Sequence, residues 1–171
     1  MVRFKNRYFL IQLLPITKSS AVGVENIVDE GAKQLEFGSP STIANMVRGA
    51  VEENFGMAMA SKINPSLSIK FASQETFLVI LRCARDAYKP VWSSITFLNV
   101  FPGKNANSEV PCIWQVVGIS GTIRCSQMRA IRLHRHSLQQ LIKSNNLSQE
   151  ERMQVENVLK DIEGAIRRIE A

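Results

Sequence analysis

Residues 1–14 read MVRFKNRYFLIQLL, and the first half of this stretch differs in kind from the second. Arg3, Lys5 and Arg7 stand two apart, and no acid occurs before Glu25. Side chains of a β-strand alternate between faces, so this spacing puts all three cations on one side, facing water or a polyanion. Phe9 to Leu14 is then an almost unbroken apolar run, the pattern of a strand whose second half is buried on both faces. Such a strand belongs in the interior of a sheet, and the elements that follow decide which sheet it is.

Residues 17–38 are polar and irregular, with Gly23, Gly31 and Gly38, and read as an insertion. In SPSTIANMVRGAVEENFG (39–56), Ser39 and Pro40 are cap and first-turn residues. Ile43, Met46, Val47, Ala50 and Val51 follow at the spacing of one helix face. SLSIKF (66–71) alternates like a strand, TFLVILRC (76–83) is a β-rich run, and SQE (73–75) between them suits a hairpin. Asp86 can cap a second helix that carries Ala87, Val91, Ile95 and Leu98 on one face, with Trp92 adjoining it and Pro90 tolerated near its start. FPGKNANSEVP (101–111) reads as a loop and CIWQVVGIS (112–120) as a further strand.

The resulting order, β-α-β-β-α-β, predicts an α+β fold of the ferredoxin-like, RNA-recognition-motif-like kind, an antiparallel sheet backed by two helices. In that topology the first and fourth strands are neighbours. A second cationic block lies just after the fourth strand: no acid occurs between Glu109 and Glu150, a window that holds Arg124, Arg129, Arg132, Arg135 and Lys143. The topology therefore predicts that the two blocks meet.

TIRCSQMRAIRLHRHSLQQLIKS (122–144) reads as a helix with Ile123, Ala130, Ile131, Leu138 and Leu141 on one side, although 130–135 also alternates like a strand, which leaves 123–136 open between the two. Ser148 with Glu151 makes a capping box, and Val155, Val158, Leu159, Ile162, Ile166 and Ile169 form a helical stripe in an acidic tail. The expected organisation is a ferredoxin-like domain over 1–146 and an amphipathic helix over 147–171.

The 171 residues, 45% hydrophobic and 21% charged with a net charge of +6, suit one globular domain with a polyanionic partner. No apolar run is long enough to span a membrane, so no membrane partner is expected. Cys83, Cys112 and Cys125 are odd in number and lack C-x-x-C spacing, which argues against a zinc site or a disulfide framework.

GISGT (118–122) misses the G-x-S-x-G elbow at its last position, and His134 and His136 have no nearby acid to orient them. Two other readings of Ser120, Gly121 and Thr122 remain. They can form an anion site at a helix start with Arg124 adding charge, or a tight turn that needs Gly121 for its backbone angles. No Walker or dinucleotide-binding motif occurs.

Three blocks, MVRFKNRYFL (1–10), FLVILRCARDAYKPVWSSITFL (77–98) and VVGISGTIRCSQMRAI (116–131), resemble the Pop-five family of protein subunits shared by ribonuclease P and ribonuclease MRP. The resemblance implies a small, basic, non-catalytic subunit that packs on the catalytic RNA and helps it adopt its active form. Its role would be in 5′ leader removal from precursor tRNA and in rRNA processing. It implies further partners, among them a TIM-barrel-like protein subunit, and a nuclear or nucleolar location. No cofactor is expected on the protein, and magnesium is implied for the RNA. RNA-binding residues expected from the matching blocks and the cationic run are Arg3, Lys5, Arg7, Tyr8, Ser120, Gly121, Thr122, Arg124, Arg129, Arg132 and Arg135. Leu81, Arg82, Cys83, Arg85 and Asp86 of the middle block are expected to serve fold or partner contacts as much as RNA. The alternative is a protein-interaction module of a ribonucleoprotein with little direct RNA contact.

Overall fold

The computed structural model of the chain describes residues 5–16, 39–74, 76–103, 109–144, 157 and 160–169. Arg3, the 17–38 insertion and the capping box at Ser148 and Glu151 lie outside the described residues, as do Val155, Val158 and Leu159 of the tail stripe.

The apolar opening forms β1 (Asn6–Pro15), in which Tyr8 to Ile11 and Leu13 are buried. Helix α1 (Pro40–Phe55) follows, its Ser39 side chain accepting from the Ser41 N–H and its buried stripe made of Ile43, Ala44, Val47, Ala50 and Val51. Gly56, at φ 81°, turns the chain into a short helix, α2 (Met57–Ile63), which the periodicity did not suggest. A left-handed backbone angle is open to glycine without a Cβ penalty, which is why the break falls there.

Strands β2 (Ser68–Ser73) and β3 (Leu78–Ala84) form the expected hairpin. A 3₁₀ turn, Arg85–Ala87, leads into α3 (Tyr88–Phe97), and Pro90 falls at its third position, where a backbone N–H has no intrahelical partner to lose. Asp86 does not cap this helix. It sits in the 3₁₀ turn, and its carboxylate pairs with Lys62 of α2 at 3.2 Å.

A short strand, β4 (Val100–Pro102), runs into the stretch read as a loop, and it pairs with the start of β5 (Glu109–Ser120), which begins before that stretch ends. The sheet is antiparallel throughout, in the order β2-β3-β1-β5-β4. With β4 and α2 set aside, β1-α1-β2-β3-α3-β5 in this order is the ferredoxin-like arrangement, with β1 interior as its burial pattern required.

The residues that left helix and strand open form a long helix, α4 (Ile123–Ser144), and residues 160–167 are helical and labelled α5. Alternation along the strands sends the sheet's side chains to two cores. Phe9, Ile11, Leu13, Val79, Leu81 and Trp114 pack with Ile43, Val47, Val91 and Ile95 of α1 and α3. On the opposite face Tyr8, Leu10, Leu78 and Ile80 pack with Ala130 and Ile131 of α4 and with Ile162 and Ile166 of α5. Ile162 and Ile166 of the acidic tail are thus part of the core, covering the sheet face that an RNA-recognition motif leaves open.

Two contacts hold α5 in place. Gln127 Nε2 donates to the carbonyls of Ile166 and Ile169, at 2.8 and 3.0 Å, tying the end of α5 to α4. Arg135 forms a two-pronged pair with Glu163, Nε to Oε1 at 2.5 Å and Nη2 to Oε2 at 2.8 Å. That pairing, first of all its hydrogen bonds, holds the Glu163 carboxyl below the usual carboxylate range. No helix among the described residues is long and apolar enough to cross a membrane.

Candidate nucleic-acid interface

One end of the sheet collects the start of β1, the end of β3 and the end of β5. Asn6 stands opposite Ala84, Arg7 opposite Cys83, and Tyr8 between Arg82 and Ser120. Beyond the last paired residues the Lys5 carbonyl accepts the Arg85 N–H at 2.8 Å. The first cationic block therefore meets the start of the second, where β5 hands over to α4.

Lys5 is exposed, and Arg7 is half-buried with Nη1 donating to the Asn6 carbonyl at 3.1 Å. The Arg7 guanidinium lies over Gly121, where an added Cβ would stand 3.4 Å from Nη1. Gly121 does not have a positive φ, so the expectation of a turn that needs glycine for its backbone angles is not met. What the missing side chain provides is room: the β5–α4 turn passes close beneath a guanidinium.

Thr122 Oγ1 accepts the Cys125 N–H at 3.4 Å and so serves as the N-cap of α4. The N–H groups of Ile123 and Arg124, in the same first turn, have no intrahelical acceptor by helix geometry. Arg124 is exposed there, and α4 carries no acid in its first turn. A cation at the positive end of a helix dipole is unfavourable, and a bound anion would convert that repulsion into attraction from both.

The rim also includes Arg82 and Arg85, expected to serve fold or partner contacts as much as RNA. With the Asn6 amide turned to suit its neighbours, its oxygen accepts from Arg82 Nε and Nη2 at 3.3 and 3.2 Å. Arg85 is exposed in the 3₁₀ turn. The signal that could have placed both was the ferredoxin-like topology, in which an antiparallel β3 beside β1 must end where β1 begins. Asp86, the acid of this end, is neutralised by Lys62, whose hydrogen bond holds its carboxyl below the usual range.

The remaining expected residues fall elsewhere. Arg129 extends across Gly118, where a Cβ would collide with its Nη1, and Arg132 is exposed further along α4. Arg135 is committed to Glu163. Tyr8, expected among the RNA contacts, is only 4% exposed, its ring packed beneath α4 and α5 instead of lying on the rim. Tyr8 and Leu10 of β1 face α4; the helices that cover that face did not announce themselves locally. Trp92, read as adjoining the apolar face of its helix, is in fact 45% exposed.

Two of the three cysteines are buried. Burial pushes the Cys83 thiol up to about 12 and the Cys112 thiol up to about 11, so both stay protonated near neutral pH. No group of three or more His, Cys, Asp or Glu side chains placed to hold a metal occurs among the described residues.

The opposite end of the sheet exposes large apolar side chains. Ile113, 52% exposed, pairs with Leu14, and the Ile16 N–H donates to the Pro111 carbonyl at 2.8 Å. Helix α3 ends beside them at Phe97, 68% exposed.

Comparison with known proteins places these features in a family context. The sequence model described as the Rpp14/Pop5 family matches residues 7–131. A protein of Danio rerio named "Ribonuclease P/MRP protein subunit POP5" is 31% identical over 144 residues, covering 83% of this chain and 76% of that one. One of the same name from Schizosaccharomyces pombe is 29% identical over 138 residues, covering 81% of this chain and 91% of that one. A chain in a cryo-EM structure of yeast ribonuclease MRP aligns over 99% of both chains with a TM-score of 0.46 at 11% identity, which adds nothing to the topology above.

Proposed function

The chain belongs to the Rpp14/Pop5 family, and from that premise we propose that it is an RNA-binding protein subunit of ribonuclease P/MRP. It grips phosphates of the enzyme's RNA with the cationic end of its sheet. The observation that carries this reading is the convergence of Lys5, Arg7 and Arg124, with the uncapped N–H groups of α4, at one edge from two distant parts of the chain. Cations placed only for solubility have no reason to converge around a low glycine turn.

In this role the protein stabilises the active form of the RNA for 5′ leader removal and rRNA processing, in the nucleus and nucleolus. The RNA, with its magnesium ions, carries the chemistry. The apolar end of the sheet supports a second contact, with another protein subunit of the particle, for which the TIM-barrel-like subunit is our candidate. A docking module with little RNA contact is the competing reading, and the exposed Phe97 and Ile113 are the observation that favours it.

The test is to purify the tagged chain gently from its own cells, sequence the RNA that accompanies it, and assay precursor-tRNA cleavage before and after that RNA is digested. One or two abundant structured RNAs, with activity lost on digestion, is the expected result. Activity that survives complete digestion would move catalysis into protein, and an absence of enriched RNA would favour the docking module.

A further inference from the structure

Arg124, Gln127, Met128 and Ile131 recur at intervals of three, one and three, and so share one face of α4. With Arg167 of α5 they line an open groove of about 460 Å³, within the roughly 300–1,000 Å³ typical of small-ligand sites. Its floor is apolar, with Ile131 buried and Met128 46% exposed. Two guanidiniums belong to its lining, and no acid among the described residues lines it. Glu163 makes a loose ion pair with Arg167 at 3.9 Å, while its short, two-pronged hydrogen bonds go to Arg135. Gln127 spends its amide N–H groups on the carbonyls of Ile166 and Ile169, which leaves its oxygen as an acceptor.

We propose that this groove holds one unpaired nucleotide of a bound RNA, its base against Met128 and Ile131 and its phosphate between Arg124 and Arg167. The inference rests on the RNA-binding reading above and adds what the cationic rim alone does not supply, a preference for a nucleotide outside a duplex. Cations on a strand end attract any polyphosphate, paired or not. An apolar floor takes up only a base whose flat face is free, and in a helix both faces are covered by stacking. Arg124 belongs to the rim and the groove alike, so a strand held at the sheet end can enter the groove without leaving the surface.

The test uses the full chain and two RNA hairpins with identical stems, one fully paired and one carrying a single bulged 2-aminopurine. The bulged hairpin is expected to bind about tenfold more tightly, with a change in 2-aminopurine emission, and tenfold corresponds to about 1.4 kcal/mol. Met128→Ser and Arg167→Gln, at exposed positions outside both cores, should abolish that preference while the paired hairpin still binds and the melting temperature is kept. Equal binding of the two hairpins overturns the groove and leaves the rim intact. A preference that survives both substitutions also overturns it, by placing the unpaired nucleotide elsewhere. If neither hairpin binds, both the groove and the RNA-binding reading fall.

Discussion

The two ends of the sheet are built from the same strands and differ in nearly everything else. At one end β1, β3 and β5 terminate in Lys5, Arg7, Arg82 and Ser120, followed by the capped start of α4. At the other, β1 and β5 run on into Leu14, Ile16 and Ile113, with Phe97 nearby. The strands' middles are committed to the two cores, so an interior strand such as β1 can meet partners only through its ends. The polarity of the molecule therefore lies along the strands, and the broad sheet face, closed by α4 and α5, is not available to share it.

The largest expected effect comes from removing the charge at one end. Lys5→Ala, Arg7→Ala and Arg124→Ala together should lower the log–log salt slope of RNA binding by about two to three, since each phosphate contact contributes roughly 0.7 to 0.9. The mirror-image variant, Phe97→Asp with Ile113→Asp, should leave that slope alone and release the protein partner in pull-downs. Both of its positions are more than half exposed, so stability should move by no more than about 0.5 kcal/mol per site. If the acidic pair flattened the salt slope as much as the cationic triple, the ends would not be functionally distinct.

A smaller effect separates end from middle at Tyr8, the residue where the resemblance and the geometry part. Tyr8→Ala should cost about 3 kcal/mol in denaturant unfolding, as for other large core aromatics, while the folded fraction keeps its RNA affinity. Tyr8→Phe should be within about 1 kcal/mol of the parent. Loss of RNA binding in Tyr8→Phe at full stability would put the ring back among the contacts.

Tyr8 also marks the limit of what a sequence of this kind discloses. Period-two alternation placed Tyr8 and Leu10 on the face opposite Phe9 and Ile11, and the order of elements predicted a four-strand core topology that the structure contains. Both depend on local pattern and hold wherever that pattern is strong. What covers the second face depends on α4 and α5 folding back over the sheet, through contacts such as Gln127 to Ile166 and Arg135 to Glu163 that span many residues. The stripe of isoleucines in the tail showed that it buries a face, without showing against what. The same logic explains Arg85, which no local pattern assigns to the rim and which a backbone bond to Lys5 puts there.

The smallest effect tests why the rim is shaped as it is. Because Gly121 does not have a positive φ, an L side chain fits its backbone, and substitution should leave stability unchanged. The Cβ of Gly121→Ala would stand 3.4 Å from Arg7 Nη1, ordinary contact, so RNA affinity should fall by about twofold or less. Gly121→Val adds two methyl groups and must displace the guanidinium, with a loss of about tenfold, the worth of one charge-assisted hydrogen bond. The graded pair discriminates between two reasons for a glycine. If Ala and Val were equally damaging and both destabilised the fold, the backbone would need glycine for its own sake. If only binding falls, and falls with side-chain size, the glycine is there to let a phosphate and Arg7 approach the start of α4 together.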